Sequence, residues 1–100
     1  MSWQVRFTPL ADTDVAETYA WYEAARSGLG EDFLRDLQRA LDFVVAYPQG
    51  CPDVHRGLRR ALLRRFPYSL YYRLMEPGAL IEVRACVHQS RHPRNWQRRG

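Results

Sequence analysis

The fold is decided by one C-terminal stretch, ALIEVRACVHQSRHPRNW, residues 79–96. Its first part alternates apolar and other residues with the two-residue period of a β-strand. One predicted face of the strand carries Ile81, Val83, Ala85 and Val87. The other carries Glu82, Arg84, Cys86 and His88. The pattern therefore predicts a strand that ends at His88, with Arg84 and His88 on the same face, and a break from Ser90 to Pro93 before a basic tail.

Two further strands are predicted immediately before this one. Residues 58–66 read as a strand rich in arginine, and residues 68–74 alternate in the same way as the last strand. Pro67 separates the two because proline cannot donate a hydrogen bond to a central ladder. The segment Glu76-Pro77-Gly78 is a turn by composition. The C-terminal half is therefore predicted to be a meander of three strands.

The N-terminal half predicts one short strand, residues 3–7, followed by two helices. Thr8-Pro9 has the composition of a helix N-cap followed by proline at the first helical position. Ser27-Gly28 ends this helix, and a second one runs from about Leu29 to Tyr47. Its apolar stripe comprises Leu29, Phe33, Leu37, Leu41 and Val44. Its predicted solvent face comprises Glu31, Asp32, Arg35, Asp36, Arg39 and Asp42.

Two groups of residues invite a functional interpretation that their context argues against. Tyr19, Trp21 and Tyr22 could form a platform for stacking bases, but at helical spacing they are predicted to pack in the core and between helices. The loop of residues 48–57 contains possible metal ligands by type, Cys51, Asp53 and His55. One such cluster without a second does not make a zinc site. Neither a metal nor a cofactor is predicted.

These elements predict a single α+β domain over residues 1–100, with the order β-α-α-β-β-β. An antiparallel sheet carries a helical hairpin packed on one face. The other face is predicted to be open and basic, with Arg84, His88 and Arg73 on one surface. The place of the first strand in the sheet does not follow from the sequence.

Charge is distributed unevenly along the chain, although the net charge is only +4. Residues 1–50 contain four arginines and eight acidic residues, whereas residues 51–100 contain eleven arginines and three acidic residues. This division predicts a basic surface that faces a polyanion or an acidic partner. The sequence has no apolar run long enough for a membrane span and no signal peptide, so a cytoplasmic protein with reduced thiols is expected.

Taken in order, several motifs resemble the RelE/ParE toxins of bacterial type II toxin–antitoxin pairs. The motifs are Thr8-Pro9 with Ala11, Trp21-Tyr22-Glu23, Gly28-Leu29-Gly30 with Phe33, Pro48, RFPYSLYYR at residues 65–73 and VHQSRHPRNW at residues 87–96. The resemblance covers nearly the whole chain. It implies a RelE/ParE-like fold and a growth-inhibiting toxin of the plasmid-stabilisation kind, held inactive by an acidic antitoxin.

The resemblance leaves the target open between DNA gyrase, as for ParE-like members, and messenger RNA in the ribosome, as for RelE-like members. Only the second makes the chain an enzyme, a metal-independent endoribonuclease, in which His88 would act as acid or base and Arg84 and Arg91 would stabilise the transition state. The residues implied to bind nucleic acid or a partner are Arg59, Arg60, Arg64, Arg65, Tyr71 and Arg73. Ser69, where nucleases of the family often have a basic residue, and the absence of lysine favour gyrase. A non-toxic basic binding module remains a third alternative.

Overall fold

The secondary structure follows the predicted order, with two additions. A computed structural model describes residues 3–100. Its elements are β1 (Gln4–Phe7), α1 (Pro9–Ala25), α2 (Leu29–Ala46), β2 (Asp53–His55), β3 (Leu58–Leu62), β4 (Tyr68–Met75), β5 (Leu80–His88) and α3 (Arg94–Gln97). Strand β2 lies in the segment predicted as a loop, and α3 lies in the predicted tail. None of the helices in the described part of the chain is both long and apolar enough to cross a membrane.

The five strands form one sheet in the order β1-β5-β4-β3-β2. Strands β2 to β5 are antiparallel neighbours, as a meander requires. Strand β1 adds to the edge of β5 in parallel, with Val5 opposite Ile81. The predicted α+β class is confirmed, and the structure supplies the position of β1 that the sequence left open.

The helical hairpin forms as its sequence signals predict. The Thr8 hydroxyl accepts a hydrogen bond from the backbone N–H of Ala11 at 3.2 Å, which caps α1. Gly28 takes a left-handed conformation, φ 89°, between the helices. The Glu23 carboxylate accepts hydrogen bonds from the backbone N–H groups of Gly28 and Gly30, which fixes the turn between the helices.

One core lies between the hairpin and the sheet, and it is centred on four aromatic rings. Tyr22 packs edge-on to Phe66 with ring centroids 4.8 Å apart. Phe33 packs edge-on to Phe66 at 5.7 Å and to Tyr68 at 5.6 Å. Such pairs contribute about 0.5–1.5 kcal/mol each beyond the burial of area. The predicted apolar stripe of α2 supplies most of the helical side of this core, so that prediction is confirmed.

Asp36, predicted on the solvent face of α2, is buried at 5% exposure. Its carboxylate accepts the backbone N–H groups of Arg64, Arg65 and Phe66 at 3.2, 2.7 and 3.0 Å. Burial alone would raise the pKa of Asp36, but these three donors and Arg39 outweigh it and hold the pKa below its usual value. The same bonds turn the chain away from the sheet, so β3 ends four residues earlier than predicted.

Strand β5 contains an extra residue, Arg84, relative to its neighbour β4. Tyr72 lies opposite Val83, and the preceding residue Tyr71 lies opposite Ala85. Arg84 therefore has no partner in the register and forms a β-bulge. Because side chains alternate along a strand, one extra residue exchanges the faces of everything that follows it.

The bulge overturns the predicted division of β5 into one apolar and one polar face. Before it, Val83 lies in the core beneath the helices. After it, Cys86 lies in that core, whereas Ala85 and Val87 lie in a second cluster on the other face of the sheet. The predicted inward set was Ile81, Val83, Ala85 and Val87. The prediction is therefore wrong for Ala85 and Val87, which follow the bulge.

The second face of the sheet is covered by the C-terminal segment, so the predicted open basic face is also wrong. Trp96 in α3 is only 6% exposed. Its ring stacks on Tyr71 with centroids 4.4 Å apart and planes inclined by 11°. Leu58 and Ala85 complete this smaller core. A sheet with apolar residues on both faces must be covered on both. The second apolar face was not predicted because strict alternation, without the bulge, assigns Ala85 and Val87 to the first face.

Candidate functional site

A cleft of about 290 Å³ lies between α1 and the end of β5. Its lining combines acidic, basic, aromatic and titratable side chains: Asp14, Glu17, Thr18, Trp21, Tyr68, Cys86, Val87, His88, Arg91, Asn95 and Arg99. Two of the three residues proposed for catalysis, His88 and Arg91, meet here. The third, Arg84, does not line the cleft.

The hydrogen bonds of His88 define its tautomer. Nδ1 accepts the backbone N–H of Ser90 at 3.0 Å and lies 2.8 Å from the Ser90 hydroxyl oxygen. Because Nδ1 is an acceptor, the neutral ring carries its proton on Nε2. Tyr68 packs edge-on to the ring, with centroids 5.3 Å apart. His88 thus offers a single N–H donor, which suits a carbonyl or carboxylate of a bound partner.

Trp21 is an exposed large apolar side chain that lines the cleft. It is 72% exposed, so the prediction that it packs in the core is wrong, whereas Tyr22 beside it does pack there. Glu17 on the same helix and Arg91 beyond β5 are also exposed. The indole therefore shares the cleft with an exposed acidic group and an exposed basic group, a combination that suits a protein partner of mixed charge.

The wall of the cleft is held by Asp14. Its carboxylate accepts two hydrogen bonds from the Arg99 guanidinium, at 2.8 and 3.3 Å, and one from the backbone N–H of Cys86 at 3.0 Å. Burial, and then the negative charge of Asp14, raise the pKa of the Cys86 thiol to about 12. The thiol stays protonated at neutral pH, so it does not act as a nucleophile.

Arg84 is committed to the C-terminus and to Glu82. Its Nε donates to the Glu82 carboxylate at 2.7 Å, and Nη1 donates to the carbonyls of Arg99 and Gly100 at 3.2 and 3.4 Å. The Arg6 side chain also donates to Glu82, and this bond is the main reason that the pKa of Glu82 lies below its usual value. Arg84 therefore stabilises the fold on the second face, apart from His88.

Three more of the predicted binding residues have structural partners. Arg73 donates to the carbonyls of Arg56 and Gly100 at 2.8 and 3.2 Å. Arg59 donates to the Cys51 carbonyl at 2.6 Å. Tyr71, expected to stack on a base, lies beneath Trp96 as described above. The expected single surface of Arg84, His88 and Arg73 is therefore not formed.

Arg60, Arg64 and Arg65 lie at the other flank of the hairpin. Arg65 forms an ion pair with Asp32 at 3.8 Å. Arg64 is exposed, and no side-chain partner for it is found among residues 3–100. The Nε atom of Arg60 is buried and has no hydrogen-bond partner in the described part of the chain. Arg60 and Arg64 line a second groove of about 290 Å³, between α2 and β3.

The loop considered for metal binding has another role. The Asp53 carboxylate accepts the backbone N–H groups of His55 and Gly57 at 3.1 and 2.9 Å, which shapes the turn between β2 and β3. Cys51 is a free, buried thiol. Within residues 3–100, no group of three or more His, Cys, Asp or Glu residues is placed to hold a metal ion.

Some residues of the site were missed by the sequence reasoning, and for two of them a signal existed. Asp36 lies three residues after Phe33, so helical spacing alone puts it at the edge of the buried stripe. Asp14 precedes the exposed Glu17 on α1, but nothing local indicates its bonds to Cys86 and Arg99. Trp96 could have been recognised as a cover, since a tryptophan in a short tail needs an apolar surface to bury it.

Comparisons with known proteins agree with this fold. The family model described as the ParE toxin of type II toxin–antitoxin systems, parDE, matches residues 5–93. The chromosomal ParDE toxin–antitoxin system from P. aeruginosa superposes with a TM-score of 0.73 at 19% identity, covering 86% of this chain and 95% of that one. The RelBE2 toxin–antitoxin complex from Mycobacterium tuberculosis gives 0.61 at 22%, covering 88% and 99%. The curated proteins contain no significant match to the sequence.

Proposed function

Because the chain belongs to the ParE toxin family of type II toxin–antitoxin systems, we propose that it arrests growth by binding DNA gyrase and is neutralised by a cognate antitoxin. The single observation that carries the choice of target is the separation of Arg84 from His88. The first is bonded to Glu82 and the C-terminus, and the second lies in the cleft beside α1.

Metal-free cleavage of RNA needs a base, an acid and a cation around one phosphate. Nδ1 of His88 is occupied by Ser90, and Nε2 carries the proton of the neutral ring. With this tautomer His88 is not set to accept a proton at Nε2. Two arginines line the cleft beside His88, Arg91 and Arg99. Arg99 forms an ion pair with Asp14, so within residues 3–100 only Arg91 is left as an unpaired cation there. This arrangement supports binding over nuclease chemistry.

The cleft has the properties of a protein-binding site. An exposed tryptophan that becomes buried is among the commonest side chains to dominate a protein interface. Here Trp21 stands beside Glu17 and Arg91, which can pair with charges of both signs at the rim. We assign contact with gyrase to this cleft, with Trp21 as the main anchor and the Nε2–H of His88 as a donor.

Controlled expression followed by parallel supercoiling and translation assays tests this proposal. The purified chain is expected to inhibit gyrase supercoiling, and Trp21→Ala is expected to weaken inhibition on the order of 30-fold, the loss of about 2 kcal/mol typical of an interface anchor. Arg91→Ala should weaken it less, and Arg26→Ala, an exposed arginine at the end of α1, serves as its matched control.

The alternative target is messenger RNA in the ribosome, since His88 and Arg91 do share the cleft. It predicts that His88→Ala reduces cleavage on the order of 10²-fold or more while the fold is retained. If the parent chain cleaves messenger RNA in this way and does not inhibit supercoiling by gyrase, the target is the ribosome and not gyrase. Normal growth during strong expression of the folded chain would contradict both targets and favour a non-toxic binding module.

A further inference from the structure

Three exposed arginines form a basic surface beside the cleft. They are Arg91, Arg94 and Arg98, and none of them forms an ion pair in the described part of the chain. The last acidic residue before them is Glu82, which is already engaged in two ion pairs. Cations that no neighbouring carboxylate neutralises create a local positive potential, which attracts an anionic partner.

The backbone that carries two of these arginines is held in place from both sides. Trp96 is buried against the second face of the sheet, and Arg99 donates to the Asp14 carboxylate. The backbone is helical through Arg98, so Arg94 and Arg98 are one turn apart on the same side, opposite Trp96. Because this base is fixed, the two arginines lose less freedom on binding than they would in a free tail.

The composition of this surface matches a phosphate backbone better than a protein or a membrane. Trp96 is the one large apolar side chain between residues 88 and 100, and it is buried. A protein interface has an apolar centre, and a membrane-binding segment exposes apolar side chains, so both need groups that residues 91–98 do not present. Interfaces with DNA are polar and positively charged, and arginine is a principal donor to phosphate oxygens.

We propose that Arg91, Arg94 and Arg98 bind the phosphate backbone of duplex DNA while the cleft binds gyrase. This inference rests on the proposed function and adds a second partner to it. Arg91 and Asn95 also line the cleft in which Trp21 is assigned to gyrase, so the two surfaces are continuous. The chain then holds the enzyme and its DNA together, and each of the two linked contacts strengthens the other.

The test measures binding of the full chain to duplex DNA in the absence of gyrase. The probe is a short fluorescent duplex of mixed sequence, and its anisotropy gives the Kd over a range of salt concentrations. The surface variant is Arg94→Gln combined with Arg98→Gln, which leaves the lining of the cleft unchanged. The matched control is Arg26→Gln combined with Arg64→Gln, two exposed arginines elsewhere, so that both variants have the same net charge. Circular dichroism checks that both variants are folded.

We expect the parent to bind the duplex with a Kd that rises steeply with salt, because each phosphate contact releases counterions. The surface variant should bind on the order of 10-fold more weakly at low salt. Its plot of the logarithm of affinity against the logarithm of salt should be less steep by about 1.8, since each lost contact accounts for about 0.9. The control variant should keep the slope of the parent.

Three results would overturn the proposal. The parent does not bind the duplex at low salt, or the surface and control variants lose affinity and slope equally, so that binding follows net charge and not these arginines. In the third, the parent binds a single-stranded RNA of the same length more tightly than the duplex, which makes RNA the partner.

Supercoiling assays of the same proteins separate failure of this inference from failure of the proposed function. The surface variant is expected to inhibit gyrase more weakly than the control variant. If the parent does not inhibit gyrase but the surface variant alone loses duplex binding, the target fails and the DNA surface stands. If the parent inhibits gyrase and both variants bind the duplex equally well, the function stands and the DNA surface is excluded.

Discussion

The two faces of the sheet are closed by very different amounts of protein. One lies beneath α1 and α2, helices of 17 and 18 residues, and many side chains of these helices cover it. The other lies beneath α3, a helix of 4 residues with one buried tryptophan. Cover on the first face is therefore distributed, whereas cover on the second is concentrated in the stacked pair of Trp96 and Tyr71. One substitution should open the second face but not the first.

The largest effect is expected from Trp96→Ala. Loss of a buried tryptophan should lower the free energy of unfolding by about 3–5 kcal/mol, because the ring leaves a cavity over Tyr71. Trp21→Ala is the control, as the same substitution at an exposed site should change stability by about 0.5 kcal/mol or less. Denaturant unfolding measures both. Equal stability of the two variants would mean that α3 does not close the second face.

The next effect is expected from Asp36→Ala beneath the hairpin. Three backbone N–H groups lose their acceptor, which should cost about 2–4 kcal/mol. Asp42→Ala is the control on the same helix, since the exposed Asp42 accepts a hydrogen bond from the Gln38 side chain and holds no backbone N–H groups among residues 3–100. A loss at Asp36 no greater than at Asp42 would show that the loop after β3 does not depend on this carboxylate.

The same carboxylate makes stability depend on pH. An unfolded aspartate has a pKa of about 3.9, and Asp36 lies below its usual value when the chain is folded. Its stabilisation is therefore present above about pH 4 and is lost as the pH falls through the lower folded value. Asp36→Asn removes this titration, so its stability should fall less steeply below about pH 4 than that of the parent. The free energy of unfolding is measured in urea at several pH values. An equally steep fall below about pH 4 for the parent and for Asp36→Asn would contradict this prediction.

The smallest effect is expected at the contact that joins the two faces. Asp14 on α1 binds Arg99 in the C-terminal segment. A double-mutant cycle with Asp14→Asn and Arg99→Gln should give a coupling energy of about 1–2 kcal/mol, since both side chains are largely buried. Repeating the cycle with Arg35 and Asp32, whose arginine is exposed, should give about 0.5 kcal/mol. Similar coupling energies for the two pairs would show that the Asp14–Arg99 ion pair contributes no more to stability than an exposed one.

Much of the fold follows from local patterns. The cap at Thr8, the stripe of α2 and the break at Pro67 each depend on residues close in sequence, and each is found where expected. Two other features depend on contacts between residues that are distant in sequence. The position of β1 in the sheet depends on the pairing of Val5 with Ile81, and the length of β3 depends on the bonds of Asp36 to the loop after β3. No periodicity within a single segment carries that information.

The candidate site was harder to predict, because it depends on which way each side chain of β5 points. His88 and Arg91 were identified and do share a cleft. Arg84 and Tyr71 were assigned to an exposed surface, and both serve instead to hold the C-terminal segment. The strict alternation assumed for the strand fails at one residue, and every orientation after that residue changes with it.

The bulge at Arg84 has a consequence for how this chain compares with its relatives. A relative without the extra residue fills the same two cores with side chains in the same order, shifted by one position after Val83. Position-by-position alignment there pairs residues that face opposite ways, so a gap belongs at position 84. Deleting Arg84 should accordingly leave the four side chains after it on their present faces, because Val83 followed directly by Ala85 restores the regular alternation of the strand. The cost of the deletion is then the loss of the hydrogen bonds that Arg84 makes to Glu82 and the C-terminus.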